Sequence, residues 1–328
     1  MDLGVLGQNL TPFARSSVEQ SLVQPALQFL RRESKQVRYQ LVLSGYFWNG
    51  SQVHEVRVSE RCQQIGEILE LLHSASLIID DIQDDSASRR GLPCVHRQIG
   101  VPKAINLGNW LYFAAFQKLH EMGLAQNQVA RMSQLFSQAL CNGHAGQALD
   151  LGIRIADCPP ARISEVCHSS MRLKTGALTG LAMASGAVLA DLSTPIQDEA
   201  YRYGVEIGLV LQSYDDLKNL KLDPLTPEKR FEDLKSMRPS LIWQWAAEHS
   251  NPKCLSDLKQ AADLLPEEDK IFQWLTDYEA ELHLGRDCKQ RVADLLGVAR
   301  ERWQSERNES YLRLKVILQK LVDSYEKL

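Results

Sequence analysis

Between Asp80 and Gly91 the chain places Asp80, Asp81, Asp84 and Asp85, then Arg89 and Arg90, directly after an apolar run. On a helix Asp80 and Asp84 share a face, with Asp81 about 100° round. Like charges this close repel, and such an array suits a hard divalent cation. Mg²⁺ takes oxygen ligands, keeps several waters and often bridges one or two carboxylates to substrate phosphates. A calcium loop does not match, because Ile82, Asp85 and Gly91 stand where that loop needs an acid, a glycine and a glutamate. A second array repeats the spacing, with Asp215, Asp216 and, in the third acid's place, Asn219. Both arrays end apolar helical runs. They could face each other across a cavity, with metal ions between them binding a pyrophosphate.

The basic residues suit the same ligand. Arg89 and Arg90 follow the first array at once, and a guanidinium binds phosphate bidentately. Lys174, Thr175 and Gly176 interrupt an otherwise apolar helix. Lys35 and Arg38 are three apart, on one face if that segment is helical, and His73 lies two turns before Asp80. Each alone has an ordinary reading: a solvated face, a core histidine, a snorkelling lysine. Together with two acidic arrays they point to one site for two diphosphates and several Mg²⁺.

These residues must be held by helices. "SERCQQIGEILELLHSASLIIDDI" has Ile65, Ile68, Leu69, Leu72, Ala75, Ser76 and Ile79 at three and four spacing, with Ser59 as its expected N-cap. "AINLGNWLYFAAFQKLHEM", the two runs between Val129 and Ala190, "DEAYRYGVEIGLVLQSYDDLKNL" and the stretch from Asp287 to Leu328 read the same way. Prolines 102, 159, 160, 195, 224, 227, 239 and 266 fall between the periodic runs. "VRYQLVLSGYFW", Val37 to Trp48, is the one stretch compatible with a strand. With no Gly/Ser linker and no short repeat, a single all-α domain over residues 1–328 is the simplest expectation.

Composition removes other classes. Of 328 residues, 44% are hydrophobic and 24% charged, as in a folded soluble protein. The net charge of −4 gives no basic excess for nucleic acid. The apolar uncharged run Thr175 to Ala190 is short of the roughly 20 residues a membrane span needs. No signal peptide is evident. Seven cysteines without a Cys-x-x-Cys suggest free thiols in a reducing compartment, hence a cytoplasmic protein.

With these motifs the sequence resembles the trans-isoprenyl diphosphate synthases, especially geranylgeranyl diphosphate synthases of the animal and fungal type. The resemblance is strongest over 35–247. Asp80 to Gly91 is the family's Asp-Asp-x-x-Asp-x-x-x-x-Arg-Arg-Gly motif. Lys35 to Arg38 resembles its Gly-Lys-x-x-Arg segment, with Ser34 for Gly, and "LLHSASLIIDD" supplies its histidine. "GHAGQALDL" resembles its Gly-Gln-x-x-Asp segment, "LKTGAL" is its Lys-Thr-Gly motif, and Gln212 to Asn219 is its second aspartate motif. The resemblance implies a bundle of about ten or more helices around a central cavity, and a homodimer. It implies that Asp80, Asp84 and Asp215 coordinate Mg²⁺, three ions in all, with Asp81 and Asp216 in support. Arg89, Lys174, Thr175 and Gln212 would hold the allylic diphosphate. Lys35, Arg38, His73 and Arg90 would hold isopentenyl diphosphate, and Arg238, where the family usually has Lys, would add a further substrate contact. The implied reaction is Mg²⁺-dependent prenyl transfer.

In that family, bulky aromatics four and five residues before the first Asp stop chain growth early. Here those positions are Ser76 and Ala75, so a C20 product is expected. Tyr112, Phe113 and His144 are candidates for the pocket floor or plain core residues. Two other readings are a terpene cyclase of the same fold, which needs no second diphosphate site, and a non-catalytic partner subunit, which tends to lack the first aspartate motif. Lys35, Arg38, His73 and Arg90 argue against the former, the intact motif against the latter.

Overall fold

The expected helices form almost throughout, and their proline-marked starts are where the sequence puts them. A computed structural model describes residues 10–32, 37–50, 56–221, 230–304 and 308–327. Lys35, Pro224 and Pro227 lie outside these residues. The described chain is all-α apart from one hairpin of two short strands. It groups into two compact units, one of residues 1–42 and 54–134, the other of 43–53 and 135–328.

The first unit holds α1 (Pro12–Val18), a π-helical turn (Glu19–Val23), α2 (Gln24–Leu30), most of α3 (Val37–Tyr46), α4 (Val56–Gln83), β1 (Ser88–Arg89), β2 (Leu92–Pro93), α5 (Val95–Ile99), α6 (Val101–Glu121) and the start of α7 (Gln126–Gly152). Its core is the apolar stripe of α4, with Ile65, Leu69, Leu72, Ala75 and Ile78, against Leu107, Leu111, Ala114 and Ala115 of α6. Gly108 makes the α4–α6 crossing tight, since a Cβ there would meet the Ile79 side chain at 2.8 Å.

The second unit holds the rest of α7, α8 (Pro160–Met171), a π-helical turn (Arg172–Gly176), α9 (Ala177–Leu189), α10 (Thr194–Asn219), α11 (Glu232–Lys235), α12 (Leu241–Glu248), α13 (Lys253–Asp263), α14 (Asp269–Asp277), α15 (Ala280–Trp303) and α16 (Glu309–Glu326). Helix α9 is apolar on every side and is buried along its length. It packs on α10 through Gly180, Gly204 and Gly208, which bring the backbones together. Trp303 at the end of α15 donates its indole N–H to the Phe47 carbonyl at 2.8 Å.

Three local expectations change. Val37–Tyr46, the strand-compatible stretch, is helical. Leu41 to Gly45 are all buried, so burial there has neither the alternation of a half-buried strand nor the one-sided pattern of a surface helix. Ser59 is not an N-cap, because α4 begins at Val56. The C-terminal stretch, read without a break, is two helices. Gln304 turns left-handed (φ 52°) and Asn308 caps α16 by accepting from the Ser310 amide at 2.9 Å.

Candidate active site

Both aspartate arrays sit at helix C-terminal ends, where exposed carbonyls already concentrate negative charge and cations are favoured. In the first unit α4 ends at Gln83, and the Asp84 amide still donates to the Asp80 carbonyl at 2.9 Å. Asp80 and Asp84 keep partial exposure, whereas Asp81 is fully buried. The Arg89 guanidinium donates to Asp81 Oδ1 at 2.6 Å and stands 3.7 Å from Asp80. The second carboxylate oxygen of Asp81 is buried with no hydrogen-bond partner among the described residues. Asp85 points away and pairs with Arg97 at 2.5 Å.

The two arginines sit on the hairpin. Ser88 pairs with Pro93 and Arg89 with Leu92, leaving a two-residue loop of Arg90 (φ 54°) and Gly91 (φ 73°). Two positive φ angles are the mark of a type I′ turn, and Gly91 takes one without strain. Arg90 takes the other at a cost of roughly 1–2 kcal/mol. Adjacent residues thereby point to different sides, Arg89 into the carboxylates and Arg90 outward. Arg38 pairs with Glu70 at 2.8 Å. His73 is held well below the usual histidine range by burial and then by Arg38, Arg90 and Arg89, so it is a neutral imidazole. Burial, followed by its arginine neighbours, also lowers the pKa of Arg90, against the pull of Glu70.

The second unit carries its own constellation. Lys174 and Thr175 lie on the π-helical turn between α8 and α9, a distortion often found at functional positions. The Lys174 ammonium contacts Asp150 Oδ2 at 3.0 Å, and Arg238 approaches the same oxygen at 3.8 Å. The Thr175 hydroxyl donates to Gln212 Oε1 at 2.5 Å, and the Gln212 amide donates to Asp216 Oδ1 at 2.8 Å. The other Asp216 oxygen accepts from the Leu241 amide at 2.7 Å, at the start of α12. Asp216 is buried, while Asp215 is exposed and 3.8 Å from Lys218. Burial and the neighbouring Asp233 raise the Asp216 pKa well above the usual carboxylate range. Asp233 is itself pushed up to about 7, by burial and then by Asp150. Asn219 accepts from the Glu232 amide at 2.9 Å, so it caps α11.

Each unit thus gathers its own predicted residues. Asp80, Asp81, Arg89, Arg90, Arg38 and His73 interact in the first, and Lys174, Thr175, Gln212, Asp216 and Arg238 form a linked set in the second. Asp150 and Asp233, which sequence reasoning left out of the site, join the second set. The "GHAGQALDL" segment was the available signal for Asp150. Phe113 is 73% exposed and His144 is also exposed, so neither is a plain core residue of this chain. Tyr112 is half-buried, and burial followed by Asp80 raises its pKa to about 12. Among the described residues, no group of three or more His, Cys, Asp and Glu is arranged to hold a metal alone. Nor is any described helix long and apolar enough to cross a membrane.

Residues 19–278 match the polyprenyl synthetase family. The chain is 31% identical to a geranylgeranyl pyrophosphate synthase of Macrophomina phaseolina, over 87% of this chain and 83% of that protein. It is 31% identical to another from Aspergillus flavus, over 84% and 76%. Its fold resembles a crystallised geranylgeranyl pyrophosphate synthase with TM-score 0.76 at 22% identity, covering 93% of this chain and 92% of the other. It also resembles a geranylgeranyl pyrophosphate synthase from Corynebacterium glutamicum, crystallised with isoprenyl diphosphate and magnesium, with TM-score 0.74 at 20% identity, covering 94% of each.

Proposed function

Because the chain belongs to the polyprenyl synthetase family, we propose that it is a trans-prenyltransferase joining isopentenyl diphosphate to an allylic diphosphate, with geranylgeranyl diphosphate as product. The observation that carries this reading is the complete first aspartate motif at the C-terminal end of α4, with Arg89 set into its carboxylates and Arg90 turned outward. A cyclase of this fold has no use for a second diphosphate site at Arg38, His73 and Arg90.

The donor set fits Mg²⁺. Asp80, Asp84 and Asp215 retain exposure for a ligand, and the unpartnered oxygen of Asp81 suits a hydrogen bond from a metal-bound water. Bound Mg²⁺ would neutralise diphosphate oxygens and make pyrophosphate a better leaving group. In this reading Arg89, Lys174, Thr175 and Gln212 bind the allylic diphosphate, and Arg238, which shares Asp150 with Lys174, adds a further contact. Lys35, Arg38, His73 and Arg90 bind isopentenyl diphosphate. The allylic C–O bond breaks and its electron pair leaves with pyrophosphate. The isopentenyl double bond then forms the new C–C bond, and the departing pyrophosphate takes the released proton. The neutral His73 can donate a hydrogen bond to a phosphate oxygen without competing for that proton.

Product length rests on α4. Ala75 is fully buried and its carbonyl faces Gly108, whereas Ser76 keeps some exposure and bonds back to the His73 carbonyl at 2.8 Å. Position 76 therefore has room for a ring that position 75 lacks. Incubation with farnesyl diphosphate and isopentenyl diphosphate is expected to give a C20 product, and nothing without isopentenyl diphosphate. Ser76→Phe is expected to shift the product to C15, while Ala75→Phe overpacks the α4–α6 crossing and costs about 1–3 kcal/mol of stability. A hydrocarbon formed from farnesyl diphosphate alone would sink the reading in favour of a cyclase.

A homodimer is part of the same proposal. Val101, Ile105 and Phe113 lie on one four-residue row of α6 and expose apolar surface, the ridge that helix packing uses. A second copy seated there would cover Phe113. Sedimentation as a monomer at micromolar concentration would refute it.

A further inference from the structure

The hairpin that presents Arg89 and Arg90 has two residues per strand, and Pro93 has no amide to give the ladder. A two-stranded hairpin alone is marginal in water. Arg32, just beyond the end of α2, supplies what the ladder lacks. One terminal nitrogen donates to the Arg89 carbonyl on β1 at 3.1 Å and the other to the Pro93 carbonyl on β2 at 3.0 Å. Its guanidinium also lies 5.0 Å from the Phe29 ring centroid, which restricts the side chain. In return the Arg90 side chain donates to the Arg32 carbonyl at 3.5 Å.

We propose that Arg32 is a positioning residue for the diphosphate-binding arginines, its planar fork joining both strands so that Arg89 and Arg90 are aimed before substrate arrives. This rests on the reading of Arg89 and Arg90 given above. Arg32 spends its two donor ends on backbone carbonyls, so it acts through its neighbours. A lysine has the charge and nearly the reach, but no fork to bridge two carbonyls.

Steady-state kinetics of the full chain, varying each diphosphate in turn, test this. Arg32→Met is expected to raise KM for both diphosphates about tenfold, the size of one lost charge-assisted hydrogen bond, with kcat changed less than about threefold. Arg32→Lys is expected to behave like Arg32→Met. Because KM does not depend on the amount of folded enzyme, a purely structural role leaves it unmoved. If Arg32→Met does not fold, Arg32→Lys carries the test. The double variant R32M/R90M is expected to bind isopentenyl diphosphate no more weakly than R90M alone. Unchanged KM in R32M, rescue by lysine, or multiplying effects in the double variant overturns the proposal. R90M with unchanged KM for isopentenyl diphosphate overturns the reading of the site, and the proposal falls with it. R90M raised with R32M unchanged overturns the proposal alone.

Discussion

Asp80→Asn is expected to lower kcat/KM by about 10³- to 10⁵-fold, roughly 4–7 kcal/mol of transition-state stabilisation, while the melting temperature without metal stays level or rises. The two halves of that result have one cause. Asp80 sits at the negative end of the α4 dipole, next to Asp81 and near Asp84, so removing its charge relieves repulsion in the empty protein, which offsets the loss of its 3.7 Å approach to Arg89. Its role in the reading above is to take a cation, and an amide is a far poorer Mg²⁺ ligand than a carboxylate. The Mg²⁺ concentration for half-maximal activity should rise in parallel. Asp81→Asn is the contrast, because it breaks a buried 2.6 Å pair with Arg89 and should destabilise the fold as well. Asp80→Asn turning over within threefold of wild type would remove Asp80 from the chemistry.

Gly208→Val is expected to prevent the second unit from folding, a loss above about 4 kcal/mol. A Cβ at Gly208 would fall on Gly176 Cα at 2.6 Å and against Thr179, and backbone cannot rotate away. Gly204 is similar, with Gly180 Cα at 2.8 Å. The π-helical turn leading into α9 carries Lys174 and Thr175, and the C-terminal part of α10 carries Gln212 to Asn219, so the close approach of Gly176 and Gly208 sets the Thr175–Gln212 bond. Gly285→Ala is the matched control. Its Cβ would meet only the Tyr325 ring at 3.7 Å, and helix propensity should make it neutral or more stable by up to about 1 kcal/mol. Chemical denaturation of both variants decides the matter, and a Gly208→Val midpoint equal to that of Gly285→Ala would contradict the packing argument.

What the sequence made legible was whatever has a local signature. Apolar spacing found α4, α6, α9 and α10, and Pro102, Pro160 and Pro195 fall in the first turns of α6, α8 and α10. The two aspartate arrays, Arg89, Arg90 and the Lys-Thr-Gly segment were visible for the same reason. Asp150 and Asp233 were missed because their partners lie far away in the chain, with Lys174 twenty-four residues from Asp150. Arg32 was invisible in a stricter sense, since it binds main-chain carbonyls, which leave no trace in residue type. The helix at 37–46 was ambiguous because burial on all sides has no period. The roles given to Asp81 and Asp216 came from resemblance, and their burial supplies a physical basis, since a buried carboxylate between fixed donors orients its exposed neighbour.

The guanidinium groups of Arg32, Arg38, Arg89 and Arg90 lie near one another, the first three partly buried and Arg90 exposed, with Glu70, Asp80 and Asp81 beside them. Burial lowers the pKa of Arg32 and Arg90, and neighbouring arginines add to it. In the reading proposed above a diphosphate brings anionic charge to this cluster, and its occupancy would then be part of this protein's stability. A ligand at a hundred times its Kd adds about 2.7 kcal/mol to the folded state. On that reading the empty form is the one most open to unfolding and proteolysis, and the enzyme's lifetime would rise and fall with the supply of its own substrates.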